Sequence, residues 1–285
     1  MNRLALATLW FSTLPLITAA TCDSLTGIKL PDTTITAAED VAAGAFSPPG
    51  ARANDPALAG YRTLPAFCRV QGVIAPSSDS HIEFEVWLPA SGWNNKYLGV
   101  GNGGLAGSIN YGGLAEAVRF GYAGSSTDTG HKAAGTDGKW SVGHPEKMTD
   151  YGYRAIHETA VQTKAIIRAR YGVDPAQSYF TSCSNGGRQA LMEAQRYPAD
   201  YDGIIAGAPA ANLTHIGAGF MWDLQALEVD PAAYIAETKL RPLSAPCWPL
   251  ATPSMASKTA FSTIRASAVM IPIRSSARGP NPTIV

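Results

Sequence analysis

The sequence predicts an α/β fold with a doubly wound, mostly parallel sheet, and three observations carry that prediction. Short runs suited to buried strands, Tyr97 to Val100, Tyr122 to Ser126 and Ile204 to Ala210, alternate with segments of helical period. The clearest helical segment, Asp150 to Arg170, repeats Tyr153, Ile156, Ala160, Thr163 and Ile167 at spacings of three and four, which makes one buried stripe. From Tyr179 to Ala210 the chain then reads strand, tight turn, helix, strand, with Ser184 at the turn. Strands and helices in strict alternation bury both faces of a parallel sheet under crossover helices.

A chain of 285 residues that is 46% hydrophobic is long enough for a sizeable core, and its formal net charge of zero argues against nucleic acid or an anionic membrane as the main partner. Residues 1–20 carry Arg3, an apolar run interrupted by Ser12, Thr13 and Pro15, and small residues at Thr18, Ala19 and Ala20. That pattern predicts a cleaved signal peptide rather than a spanning helix, and hence a secreted or periplasmic protein. In an exported chain cysteines pair, and Cys22 and Cys68 lie early and together. Their bridge closes a long loop and contributes about 4 kcal/mol in the chain-entropy model. The other two, Cys183 and Cys247, stand beside Ser184 and in the tail.

In chain order, residues 21–76 are rich in Pro, Ala and Gly, have weak periodicity, and read as loops with short strands and an edge pairing. From His81 to Leu88 the chain alternates Ile82, Phe84, Val86 and Leu88 with His81, Glu83, Glu85 and Trp87, the period of a half-buried strand with His81 in solvent. Leu114 to Phe120 reads as a helix, and Thr127 to His131 as a polar turn after the next strand. Asp128 and His131 in that turn are read as a hydrogen-bonded loop, not as a catalytic pair, because acid and base follow the nucleophile in folds with a serine at a strand-to-helix turn. His157 lies beside the buried stripe and reads as structural, Arg168 and Arg170 suit the negative end of the helix, and Gly172 supplies its stop. Asn212-Leu213-Thr214 is a glycosylation sequon.

Two short stretches carry the chemistry. A sharp strand-to-helix bend pushes a serine hydroxyl out of the sheet, and Gly186 and Gly187 let the backbone pass closely. The pattern is S-x-S-x-G, with Ser182 where the strict nucleophile elbow has glycine. The helix that follows directs its unpaired N–H groups and its dipole at the place where an oxyanion forms. The second stretch, Gly99 to Gly104, satisfies G-x-G-x-x-G, but the residues after it read as loop where a dinucleotide site needs a helix. It reads instead as a backbone oxyanion loop.

With these motifs in place, CSNGGRQALMEAQRYPADYDGIIAGAPA resembles the signature of the tannase and feruloyl esterase family of α/β-hydrolases. VGNGGLAG, STDTGH and the pair Cys183-Ser184 match in the family order, over about 21–241. The resemblance implies secreted hydrolysis of aromatic-acid esters, with Ser184 as nucleophile, the Asn185 N–H as one oxyanion donor and Gly101 to Gly103 supplying the second. It implies no cofactor for the chemistry, and a structural calcium in a lid domain whose loop this chain does not spell. It also implies a disulfide from the cysteine before the nucleophile to one just after the triad histidine. No residue after Ser184 matches the family's Asp or His, since His215 comes too early, so Cys183 is a disulfide half without its partner.

These readings divide the chain into a signal peptide at 1–20, the N-terminal part of a hydrolase core at 21–220, the start of a lid at 221–241 and an aberrant, disordered tail at 242–285. The sheet is thus expected to be incomplete. After Glu237 the tail has no Asp or Glu while six Lys and Arg remain. Regrouping codons between Pro246 and Ala268 permits VLAACDTIDGVKDGVLDDPRQC, which resembles the family's calcium-loop region, so a shifted reading frame is expected there. The alternative to a serine esterase is a catalytically inactive remnant of one. The residues specify neither the ester nor the oligomeric state.

Overall fold

The computed structural model describes residues 20–52, 54–230, 238 and 268–272. Its frame is one sheet of eight strands in the order β1-β2-β3-β5-β4-β6-β7-β8. The strands are β1 (Thr33–Val41), β2 (Phe67–Ile74), β3 (Ile82–Pro89), β4 (Lys96–Val100), β5 (Ala123–Thr127), β6 (Gln177–Cys183), β7 (Gly203–Gly207) and β8 (Ala268–Pro272). The four central strands β5, β4, β6 and β7 are mutually parallel. Antiparallel β1, β2 and β3 flank them on one side and β8 on the other.

The α-helices in chain order are the single-turn α1 (Leu58–Tyr61), α2 (Tyr111–Arg119), α3 (Pro145–Thr149), α4 (Ala155–Tyr171), α5 (Asn185–Arg196) and α6 (Leu213–Glu228). Among the described residues two cores sit against the sheet. The larger joins Val70, Phe84, Val86 and Leu88 to Ile156, Ala160, Ile166 and Ile167 of α4 and to Phe180, Ala190 and Ile204. The smaller joins Phe46, Leu64, Phe67 and Trp87 to Leu114, Ala115 and Val118 of α2. A strand between two such layers is buried on both faces, which corrects the half-buried reading of β3: Trp87 is fully buried and Glu85 nearly so. Glu85 is tolerated there because Arg69, Gln71, Trp87 and Tyr111 all donate to its carboxylate. His81 is exposed, as its position in the alternation predicts.

Residues 21–76 hold more strand than their composition predicts. β1 has only Ile35 buried and a register shift between Ile35 and Ala37, so this edge strand has no reason to alternate. The predicted helix from Asp150 begins instead as a π-helical turn, Asp150–Arg154, that runs into α4. Gly172 closes α4 at φ 77°, and its N–H reaches Arg168 O at 2.8 Å. His157 Nδ1 donates to an Asp200 carboxylate oxygen over 2.6 Å and stacks on Tyr197, a structural role. The tail expected to lack order, residues 242–285, lies outside the described residues except for β8.

Candidate active site

β6 ends at Cys183 and delivers Ser184 with φ 62° and ψ −121°, a conformation an L-residue adopts only when its surroundings impose it. The Ser184 N–H donates to Gly207 O at 2.9 Å, and the Ser184 carbonyl accepts from the N–H groups of Arg188 and Ala210, each at 3.1 Å. Small neighbours are compulsory here. A methyl on Gly186 would lie 1.9 Å from Ser182 Oγ, and one on Gly187 would lie 2.3 Å from Gly207 O. The serine that replaces the first glycine of the elbow pattern therefore fits by leaning on Gly186. Ser184 itself is exposed, and so is the free thiol of Cys183.

The helix that begins at Asn185 leaves its first N–H groups without intrahelical acceptors. Among the described residues no group accepts from the N–H of Asn185 or of Gly103. The Asn185 side chain is buried and accepts from Tyr151 Oη at 2.9 Å and from Arg188 Nε at 2.8 Å, and it donates to Asn102 O at 3.3 Å. Arg188 further donates to the carbonyls of Gly152 and Tyr151, so the π-helical turn is fastened to the elbow.

Gly101 follows β4 directly, and its open side is filled: a methyl there would meet Gln189 Oε1 at 2.4 Å and Ser182 Cβ at 2.9 Å. Gly103 faces open space. Between them Asn102 is 4% exposed and holds the loop together. Its Nδ2 donates to Ser108 O and Thr127 O, both at 2.8 Å, and Asn110 Nδ2 donates to Gly101 O at 2.8 Å. Asn102, Arg188 and Gln189 lie inside the stretches that carry the family resemblance, but neither these three nor Tyr151 showed a role in the sequence, because each acts through a partner distant in the chain.

Asp128 and His131 belong to the loop structure. Asp128 Oδ1 accepts from the N–H groups of Glu83 and Gly130, and burial pushes its carboxyl up to about 8. His131 Nε2 faces Leu105 O at 2.9 Å, its ring stacks on Trp140, and burial lowers its pKa. No histidine or carboxylate among the described residues hydrogen-bonds Ser184.

The tannase and feruloyl esterase family model matches residues 68–247. The chain belongs to that family. It is 45% identical over 227 residues to an uncharacterized esterase of Xanthomonas campestris pv. campestris, covering 80% of this chain and 38% of the relative. It is 37% identical over 149 residues to a probable feruloyl esterase B-2 of Neosartorya fischeri, covering 52% and 28%. Among solved structures, feruloyl esterase B from Aspergillus oryzae superposes with a TM-score of 0.61 at 33% identity, covering 70% of this chain and 39% of that one. The chain thus spans less than two fifths of the length of each of these three relatives. Its sheet and helices are those of an α/β-hydrolase esterase.

Within this member of the tannase and feruloyl esterase family, Cys22 and Cys68 form a disulfide with Cα atoms 5.6 Å apart, tying the N-terminal turn to β2. Cys183 is free, and Cys247 lies outside the described residues. The one cluster of potential metal ligands among the described residues is Cys22, Cys68 and Asp40. Its two sulfurs are bonded to each other, so it is no cage for the oxygen-seeking calcium that the family implies. No helix among the described residues is long and apolar enough to cross a membrane. The signal peptide predicted over 1–20 lies, apart from Ala20, outside the described residues.

Proposed function

We propose that this chain carries the nucleophile and oxyanion part of a serine carboxylesterase for esters of aromatic acids. The observation that carries the reading is the backbone of Ser184, held at φ 62° on top of β6 with the unbonded Asn185 N–H beside it. Ser184 Oγ attacks the ester carbonyl carbon, and the carbonyl electrons move onto oxygen. The Asn185 N–H and an N–H of the Gly101 to Gly103 loop receive that oxyanion. The serine proton passes to a histidine oriented by an acid, and the histidine returns it to the departing alcohol as the oxyanion collapses to the acyl-enzyme. Water then attacks that ester to release the aromatic acid and restore Ser184.

Neither histidine nor acid is bonded to Ser184 among the described residues, and turnover by this chain is expected to be lower by orders of magnitude than with an intact triad. The chemistry needs no cofactor. The disulfide supports export to an oxidising compartment, secreted or periplasmic, and the zero net charge supports a small neutral or aromatic ligand rather than nucleic acid.

A fluorophosphonate probe tests the nucleophile: slow labelling at Ser184, abolished in Ser184→Ala, is expected. Labelling that survives in Ser184→Ala refutes the assignment. The second reading, an inactive remnant, is favoured by α6, which buries none of its residues. Hydrolysis of a feruloyl or galloyl ester measured beside a cooperative melt separates the two, since a remnant shows no turnover above that of Ser184→Ala.

A further inference from the structure

The Asn102 N–H, midway along the glycine loop, is not available to an oxyanion. It donates to Gln189 Oε1 at 3.0 Å, and Gln189 Nε2 donates back to Asn102 Oδ1 at 3.2 Å. Gln189 lies on α5 little more than one helical turn beyond Ser184 and is 2% exposed. The pair is therefore a buried reciprocal clasp between the loop after β4 and the helix that begins at the nucleophile. The same Gln189 oxygen fills the space over Gly101. The Gly103 N–H, in contrast, has no acceptor among the described residues, and Gly103 is exposed with nothing within 4 Å of where its side chain would stand.

We propose that Gln189 is a positioning residue for the oxyanion hole: by engaging the Asn102 N–H it fixes the loop so that the Gly103 N–H serves as its oxyanion donor beside that of Asn185. The proposal rests on the reading of Ser184 as nucleophile. An amide aimed at the developing oxyanion is useful only if it stays aimed, and a displacement of about 1 Å at such a donor reduces rates by roughly a hundredfold. Asn102 is held from three further sides, by Ser108 O, Thr127 O and the Asn185 side chain, so Gln189 can be replaced without releasing the whole loop.

The test compares the full chain with Gln189→Leu, which keeps the volume and removes both bonds, and with Gln189→Glu. A protonated glutamic acid presents the same acceptor and donor, whereas the ionised form sets a charge against Asn102 Oδ1. Fluorophosphonate labelling of Ser184 is expected to slow about tenfold to a hundredfold in Gln189→Leu, which keeps one cooperative melting transition shifted down by several degrees because the Asn102 N–H and Oδ1 lose their partners. In Gln189→Glu the rate relative to the parent is expected to recover at acid pH and fall as pH rises, a dependence that packing alone does not produce. Residue-resolved amide exchange in the parent chain is expected to find Asn102 protected and Gly103 open, with Asn102 protection lost in Gln189→Leu.

Equal labelling rates in the parent and Gln189→Leu, or fast exchange of the Asn102 amide in the parent, overturn the proposal. A chain that does not label at Ser184 overturns the nucleophile reading instead, and with it the role given to Gly103, whatever the exchange shows of the clasp.

Discussion

Glu193 projects from α5 into the core with no solvent exposure, and neither carboxylate oxygen meets a hydrogen-bond partner among the described residues. Burial, reinforced by the neighbouring charge of Asp200, pushes its pKa up to about 9. A carboxyl raised in the fold contributes stability that is complete below the unfolded value, near pH 4, and that is lost as pH climbs through about 9. Glu193→Gln removes that titration. Its urea midpoint is expected to fall less than that of the parent between pH 5 and pH 9, the two slopes differing by at most about 1.4 kcal/mol per pH unit. Asp128, raised to about 8 by burial, acts in the same direction and keeps some pH dependence in the variant. Equal slopes in the two proteins show that Glu193 is ionised or solvated in the fold. The buried Glu85 is the opposite case, since Arg69 and three further donors satisfy it.

At the scale of elements, the elbow is held by the approach of α5 to β7. A methyl on Gly187 would meet backbone on both sides, Gly207 O at 2.3 Å and Pro209 Cα at 2.8 Å, and neither can yield as a side chain does. Gly187→Ala is expected to destabilise the fold by about 2 kcal/mol in urea denaturation and to displace Ser184. Gly152, in the π-helical turn, is the control: nothing lies within 4 Å of a methyl there, so Gly152→Ala is expected to stay within about 0.5 kcal/mol of the parent. The elbow was legible because its requirements are local, a strand, small residues at Gly186 and Gly187 and a helix start. The loop after β4 was legible only as glycine-rich. Its clasp joins Asn102 to Gln189 across 87 positions of sequence, and no local pattern encodes that.

At the scale of the molecule, α6 leaves the sheet with Phe220, Met221, Trp222, Leu224 and Leu227 exposed. A helix of 16 residues that buries none of them draws little stability from tertiary packing. Exposed apolar surface of this kind binds hydrophobic dyes and promotes association. Replacing Phe220 and Trp222 together by Ser is expected to cut anilinonaphthalene sulfonate fluorescence several-fold while leaving the melting transition of the sheet in place. A dye signal unchanged by the double variant assigns the apolar surface to another part of the chain.

Ser184 as the turn residue, the stop at Gly172, the pairing of Cys22 with Cys68 and the alternation of strand with helix were all determined by the sequence, because each depends on neighbours in the chain or on a count of cysteines. The tertiary structure alone decided that Trp87 and Glu85 are buried, that β1 is a strand, and that Gln189 holds Asn102. Burial on a second face depends on which layer the fold lays over it. An edge strand is specified by the partner it pairs with rather than by its own period. A hydrogen bond between distant residues exists only after β4 and α5 have been brought side by side.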